Sequence, residues 1–229
     1  MAEPHRALLE RLIDHAPMFP PARLPLPEAL EDHRAARASD ERWMLARFVA
    51  PAAVVDRLPS ELPVSAVVDD GPVEGVEALE VRVSGADEIR TFPAVETETY
   101  FELPQVTSCY LGVDAIRERG AFAKVRCGGG TVPSVADLAT FIRTCRDAGV
   151  PFKATAGLHH AVRTDGEHGF LNLLAAAASD DVEAMLESED PEELLAVDAR
   201  RAREALRSIG SCSFWEPVDD LKALGVLPL

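Results

Sequence analysis

From residue 44 onward, short apolar, β-branched runs alternate with stretches of helical periodicity. This rhythm constrains the fold more than any single motif does. The runs lie at 47–51, 64–69, 79–83, 100–104, 122–127, 152–157 and 211–214. Strand alternating with helix argues for a parallel sheet with crossover helices. The gaps after positions 51, 83, 104 and 127 hold 12, 16, 17 and 24 residues, enough for a crossover. The gap between 69 and 79 holds nine, so that connection is expected to lack a proper helix. The 53 residues between 157 and 211 fit a helix, a strand and a second helix, with 194–198 the candidate strand. Seven runs and one hidden strand make eight.

Side-chain parity separates a barrel from an open sheet. Lys124 and Arg126 alternate with Ala123, Val125 and Cys127, and Lys153 and Thr155 with Phe152, Ala154 and Ala156. Glu80 and Arg82 alternate with Leu79, Val81 and Val83, and Glu102 opposes Phe101 and Leu103. An open parallel sheet covered by helices would be apolar on both faces. A barrel packs its outer face on helices and can carry polar groups inside, near the C-terminal mouth where active sites lie. The expected fold is a small, irregular (β/α)8, or TIM-like, barrel, with an open doubly wound parallel sheet as the alternative. Ahead of it, 4–15 and 28–38 read as helices around a proline-rich loop whose Phe19, Leu24 and Leu26 offer apolar anchors. Residues 1–43 are therefore expected to form a cap on a single domain whose barrel spans 44–229.

Charge narrows the partners. Lys and Arg number 23 against 39 Asp and Glu, a net charge of −16. Nucleic acid and anionic membranes reward the opposite sign. No run approaches the roughly 18 apolar residues of a membrane span, and the first ten residues hold no apolar signal core. Cys109, Cys127, Cys145 and Cys212 show neither a Cys-x-x-Cys pair nor zinc-ligand spacing. A cytoplasmic protein with reduced thiols and no cofactor is expected, its oligomeric state open. The nine acidic residues within 179–199, with no basic one among them, read as a solvated helical face.

Only three of the 23 cations are lysines: Lys124, Lys153 and Lys222. Two of them fall on the polar face of adjacent strands. A neighbouring cation disfavours protonation, and a neutral amine can attack a carbonyl to form a Schiff base. Arginine cannot do this, because it stays protonated. On this reading Lys153 is the nucleophile and is deprotonated more readily than a free lysine. Lys124 lowers its pKa or binds substrate, and Glu102 with His159 or His160 handles protons. Arg126 with Gly128, Gly129 and Gly130, helped by Thr155 and Arg82, holds a small anionic substrate. The glycines lead into a helix from 135, with Ser134 and Asp137 spaced as an N-terminal cap. The bland alternative pairs both lysines with Glu80, Glu102 or Asp69 in a structural network, leaving a non-catalytic small-molecule-binding protein. A third reading is a metal-dependent hydrolase or lyase using His159 or His160 with His168, Glu102 and Asp69. No recognised metal-ligand spacing supports it, and consecutive histidines in extended chain point to opposite sides. His5, His15 and His33 read as solvated, and Asp14 as a brace for the proline loop.

The stretch Lys153-Ala154-Thr155-Ala156-Gly157 resembles the K-x-S/T-x-G strand of deoxyribose-phosphate aldolase-like class I aldolases. That resemblance implies a TIM barrel and a Schiff-base lysine at Lys153. The family's second lysine lies on the following strand, whereas Lys124 precedes Lys153. More broadly, the phrases F-P-P-A at 19–22, W-M-L-x-R-F at 43–48 and K-A-T-A-G-L-H-H at 153–160 resemble a set of uncharacterised bacterial proteins, which implies no particular activity.

Overall fold

A computed structural model describes residues 5–103, 109–130, 132–164 and 166–228. Its strands are β1 (Ile13–His15), β2 (Leu45–Pro51), β3 (Val64–Val68), β4 (Ala78–Arg82), β5 (Glu98–Glu102), β6 (Phe122–Arg126), β7 (Phe152–Thr155) and β8 (Leu206–Ser211). Each pairs in parallel with its neighbours in sequence, and β8 returns to β1, closing an eight-stranded barrel. This is the TIM-like fold, and it displaces the open-sheet alternative.

The helices are α1 (Arg6–Leu9), α2 (Leu26–Ala38), α3 (Ala86–Thr91), α4 (Cys109–Glu118), α5 (Val135–Ala148), α6 (Phe170–Ala178), α7 (Val182–Glu187), α8 (Pro191–Leu195), α9 (Ala199–Ala205) and α10 (Trp215–Ala223). None among the described residues is long and apolar enough to cross a membrane. The connection from β3 to β4 contains no helix, as its nine residues imply. The outward residues of the strands form the core with these helices. Phe152 meets Phe141 of α5 edge-on at 5.4 Å, and Phe101 meets Phe92 after α3 at 5.5 Å. Helix α5 starts at Ser134, whose hydroxyl accepts the Asp137 N–H at 3.1 Å, and stops at Gly149 in the left-handed region. Asp181, Asp190 and Asp198 cap α7, α8 and α9 in the same way. The acidic stretch also supplies Asp180 and Glu183 to Arg146, Arg201 and Arg143.

Three element assignments differ from the sequence reading. The helix expected at 4–15 ends at Leu9, and Ile13–His15 is a barrel strand, so the segment expected as a cap carries β1. Leu8, Leu9, Leu12 and Ile13 match helical spacing, but all four are buried for different reasons: two in a helical turn and two in or beside a strand covered on both sides. The hidden strand at 194–198 does not form. Leu194 belongs to α8, capped by Asp190 with Pro191 in its first turn. The last strand runs from Leu206 to Ser211 and not over 211–214. The total of eight stands because β1 takes the place given to 194–198.

Candidate active site

Register brings the polar faces together. Arg82 lies opposite Glu102, Glu102 opposite Lys124, Lys124 opposite Lys153, and Lys153 opposite Ser208. Lys153 is fully buried, with its ammonium 2.6 Å from Asp14 Oδ2 and 2.5 Å from Glu80 Oε1. Asp14 also accepts the Ser208 hydroxyl at 2.7 Å and the Arg47 backbone N–H at 3.1 Å. Glu80 also accepts the Ser65 hydroxyl at 2.8 Å. Its other oxygen takes Lys124 Nζ at 2.8 Å, so one carboxylate bridges both lysines. Lys124 continues to Glu102 Oε2 at 2.9 Å, and Glu102 Oε1 receives Arg82 Nε at 3.2 Å. Asp14, Glu80 and Glu102 thus balance Lys153, Lys124 and Arg82. The Tyr100 ring lies 5.8 Å from Lys153 Nζ.

This balance sets the protonation of the cluster. Burial opposes the charge on Lys153, but Asp14 and Glu80 outweigh it and raise its pKa above the ordinary lysine value. The expectation that Lys153 deprotonates readily is overturned: two carboxylates touch its ammonium, and Lys124, the cation opposite it on β6, is itself ion-paired with Glu80 and Glu102. Burial likewise opposes ionisation of Glu80, and Lys124 and Lys153 override it, holding the carboxyl well below its usual range. Glu102 is lowered too, with Lys124, Arg126 and Arg82 overcoming its desolvation.

Above the cluster is a cavity of about 580 Å³, roofed by Phe19, Pro20 and Pro21 of the proline loop. Glu102, Lys124, Arg126, Lys153, Thr155, Arg82, Gly129 and His159 all line it. Arg126 is exposed at the rim, and its guanidinium lies over Gly129, where a β-carbon would come within 2.7 Å of Nη2. Gly128 is buried at the junction of β6 and β7, where a β-carbon would sit 2.8 Å from Gly157 Cα. Gly128, Gly130 and His160 are not among the lining residues.

The histidines divide differently from the sequence reading. His159 Nδ1 contacts Glu216 Oε2 at 2.6 Å, and His160 Nδ1 lies 3.8 Å from Asp220. Both pairs sit at the mouth, outside the lysine network. His168 bonds the Pro133 carbonyl at 2.8 Å, so it does not join Glu102 in a ligand set. Among the described residues, the side chains that could share a metal are His159, Cys212 and Glu216, with ligand atoms within 4.8 Å of one another. His15 and His33 are buried and not solvated. Because Asp14 faces inward on β1, His15 points out against α2, where its Nδ1 lies 3.3 Å from His33 Nδ1. Its Nε2 lies 3.2 Å from Asp32. Burial lowers the His15 pKa to about 4, although Asp32 pulls the other way. Burial, with His15 and Arg37 adding to it, lowers His33 to about 3.

Sequence reasoning read Asp14 only as a brace for the proline loop and treated Glu80 only as a structural partner. The signal for Glu80 was its parity with Arg82. Asp14 had none, because its strand is three residues long and sits beside prolines.

No family model matches the chain, and no curated protein matches it. Among solved structures, it is similar to "a putative deoxyribose-phosphate aldolase from Toxoplasma gondii ME49". The TM-score is 0.55 and the identity 14%, over 96% of this chain and 92% of that one. At this identity the likeness concerns the fold.

Proposed function

We propose that this chain is a Schiff-base-forming lyase of aldolase type, acting in the cytoplasm on a small anionic, phosphorylated carbonyl compound. The observation that carries the reading is a pair of lysines in register on β6 and β7, bridged by one carboxylate beneath a cavity of substrate size. The likeness to an aldolase barrel is consistent with it and supplies no residue roles.

The paired lysines in the sequence and the aldolase resemblance both put the nucleophile at Lys153, but the contacts favour Lys124. Lys153 is sealed between Asp14 and Glu80, and its raised pKa keeps it an ammonium. Lys124 lies nearer the opening, and one of its partners, Glu102, carries fewer bonds than Glu80. In the proposed sequence Lys124 gives one proton to Glu102 and adds to the substrate carbonyl, and its nitrogen passes a second proton to the carbonyl oxygen to make the neutral carbinolamine. Glu102 returns that proton to the carbinolamine hydroxyl, which leaves as water and yields the iminium. Glu102, again ionised, takes the proton of the β-hydroxyl. The bond between the α and β carbons then breaks, its electron pair moving into the iminium to give an enamine. Lys153 is a fixed cation that orients Glu80, and Arg126 with Arg82 holds the anionic end at the rim.

The test is inactivation by borohydride in the presence of small phosphorylated hydroxy-aldehydes and ketones. Time-dependent inactivation with a mass increase equal to one reduced adduct supports the reading. Absence of any adduct across such a panel would remove the Schiff-base reading and favour a small-molecule-binding protein, for which the pairing of Lys153, Lys124 and Arg82 with Asp14, Glu80 and Glu102 speaks.

A further inference from the structure

Just outside the lysine network, the β7 loop, the end of β8 and the first turn of α10 converge. His159, Cys212 and Glu216 come from these three places, and their ligand atoms lie within 4.8 Å of one another. Nδ1 of His159 already contacts Glu216 Oε2 at 2.6 Å. His159 and Cys212 line the main cavity, while His159 and Glu216 line a second hollow of about 510 Å³ beside it. That hollow is walled by Glu167, Glu216, Asp219 and Asp220 together with His160, and among the described residues no lysine or arginine lines it. A field of this sign draws a cation toward the junction of the two spaces.

From this convergence we propose that His159, Cys212 and Glu216 form a binding site for a divalent, borderline-soft cation, zinc above all. One thiolate, one imidazole and one carboxylate suit zinc and poorly suit magnesium or calcium, which favour all-oxygen shells. In a tetrahedral zinc site, ligand atoms stand roughly 3.3–3.8 Å apart, given metal–ligand lengths of about 2.0–2.3 Å. Separations as wide as 4.8 Å must close by about 1–1.5 Å to reach this. The 2.6 Å contact must open by several tenths of an ångström, which rotation of the exposed Glu216 side chain allows. Three protein ligands leave the fourth position open, as in catalytic and not structural zinc sites. His159 and Cys212 also line the main cavity, so a metal held by these three side chains would border the substrate space. The inference does not depend on the lysine chemistry, because binding of the metal alone is what it asserts.

The experiment titrates the chelator-treated 229-residue chain with Co²⁺ and then displaces it with Zn²⁺. The expected result is a near-ultraviolet thiolate-to-cobalt band together with visible bands of a tetrahedral site. Both saturate at one equivalent and are abolished by one equivalent of Zn²⁺. Cys212→Ser, checked for wild-type circular dichroism and melting, should lose the near-ultraviolet band. Should that variant fail to fold, Glu216→Gln on the exposed turn of α10 reports instead, through at least a tenfold weaker zinc affinity in calorimetry. Absence of the band in wild type, its survival in folded Cys212→Ser, or an unchanged affinity in Glu216→Gln would overturn the site.

Discussion

Replacing Lys153 with methionine removes an ammonium from the centre of the barrel while keeping a side chain of similar length. Asp14 Oδ2 and Glu80 Oε1, both bonded to that nitrogen, then share a buried space with no cation between them. Breaking a buried pair by removing one partner typically costs about 3–5 kcal/mol, because a charge is left desolvated and unpaired. The position is fully buried, so solvent screening takes little from this figure. For a chain of this length 1 kcal/mol corresponds to about 2–4 °C in Tm, giving an expected loss of about 6–20 °C. Urea unfolding followed by circular dichroism measures it. A second substitution separates charge from packing. Asp14→Asn added to Lys153→Met leaves Glu80 with Lys124 and removes the clashing carboxylate, so the double variant should recover about 0.5–3 kcal/mol of the additive loss. A Lys153→Met cost below about 1 kcal/mol, with no recovery in the double variant, would refute an electrostatically locked lysine.

Gly128→Ala should destabilise by about 1–3 kcal/mol in the same assay, because its β-carbon would sit 2.8 Å from backbone at Gly157 and neither strand end can move freely. The buried His15 and His33 bind protons far less readily than in the unfolded chain, where histidine titrates near pH 6.5. Stability should therefore fall as pH drops from about 6.5 toward 4, by about 1.4 kcal/mol per pH unit for each proton of difference. His33→Gln should shallow that slope in pH-dependent melting, and an unchanged slope would mean the pair does not control it. Glu80, whose pKa is depressed in the fold, stabilises above the usual carboxylate value of about 4.3 and loses this as pH falls further. Lys153, whose pKa is raised, stabilises below about 10.4 and loses this as pH climbs through its folded value. Lys153→Met should remove the alkaline limb of the stability profile.

How much was legible in the sequence follows from how far each feature depends on distant partners. Parity along β4, β5, β6 and β7 is local, and it pointed to a closed barrel with charged groups inside. The Ser134 cap and the extent of α5 were legible for the same reason. Strand β1 was not, since three residues carry no period and Leu8 to Ile13 imitate a helical stripe. Losing β1 meant losing Asp14, and with Asp14 the sign of the Lys153 shift. Cations on neighbouring strands suggested a depressed pKa, whereas the carboxylate that reverses it comes from a strand 139 residues away in sequence. The histidines were misjudged similarly. His15 and His33 look polar in isolation, but they close on each other between β1 and α2. Cys212 and Glu216 belong to the last strand end and last helix, and nothing in their own neighbourhood announces His159.

The proposed chemistry is tested most directly by finding which lysine carries the reduced adduct. Protein trapped with borohydride and an active carbonyl substrate is digested, and its peptides are mapped by mass spectrometry. The adduct should lie on Lys124, with Lys153 unmodified and Lys124→Arg protein giving no adduct. A reduced adduct on Lys153, or one that persists in Lys124→Arg, would contradict the assignment of Lys124 as the nucleophile and Lys153 as the fixed cation.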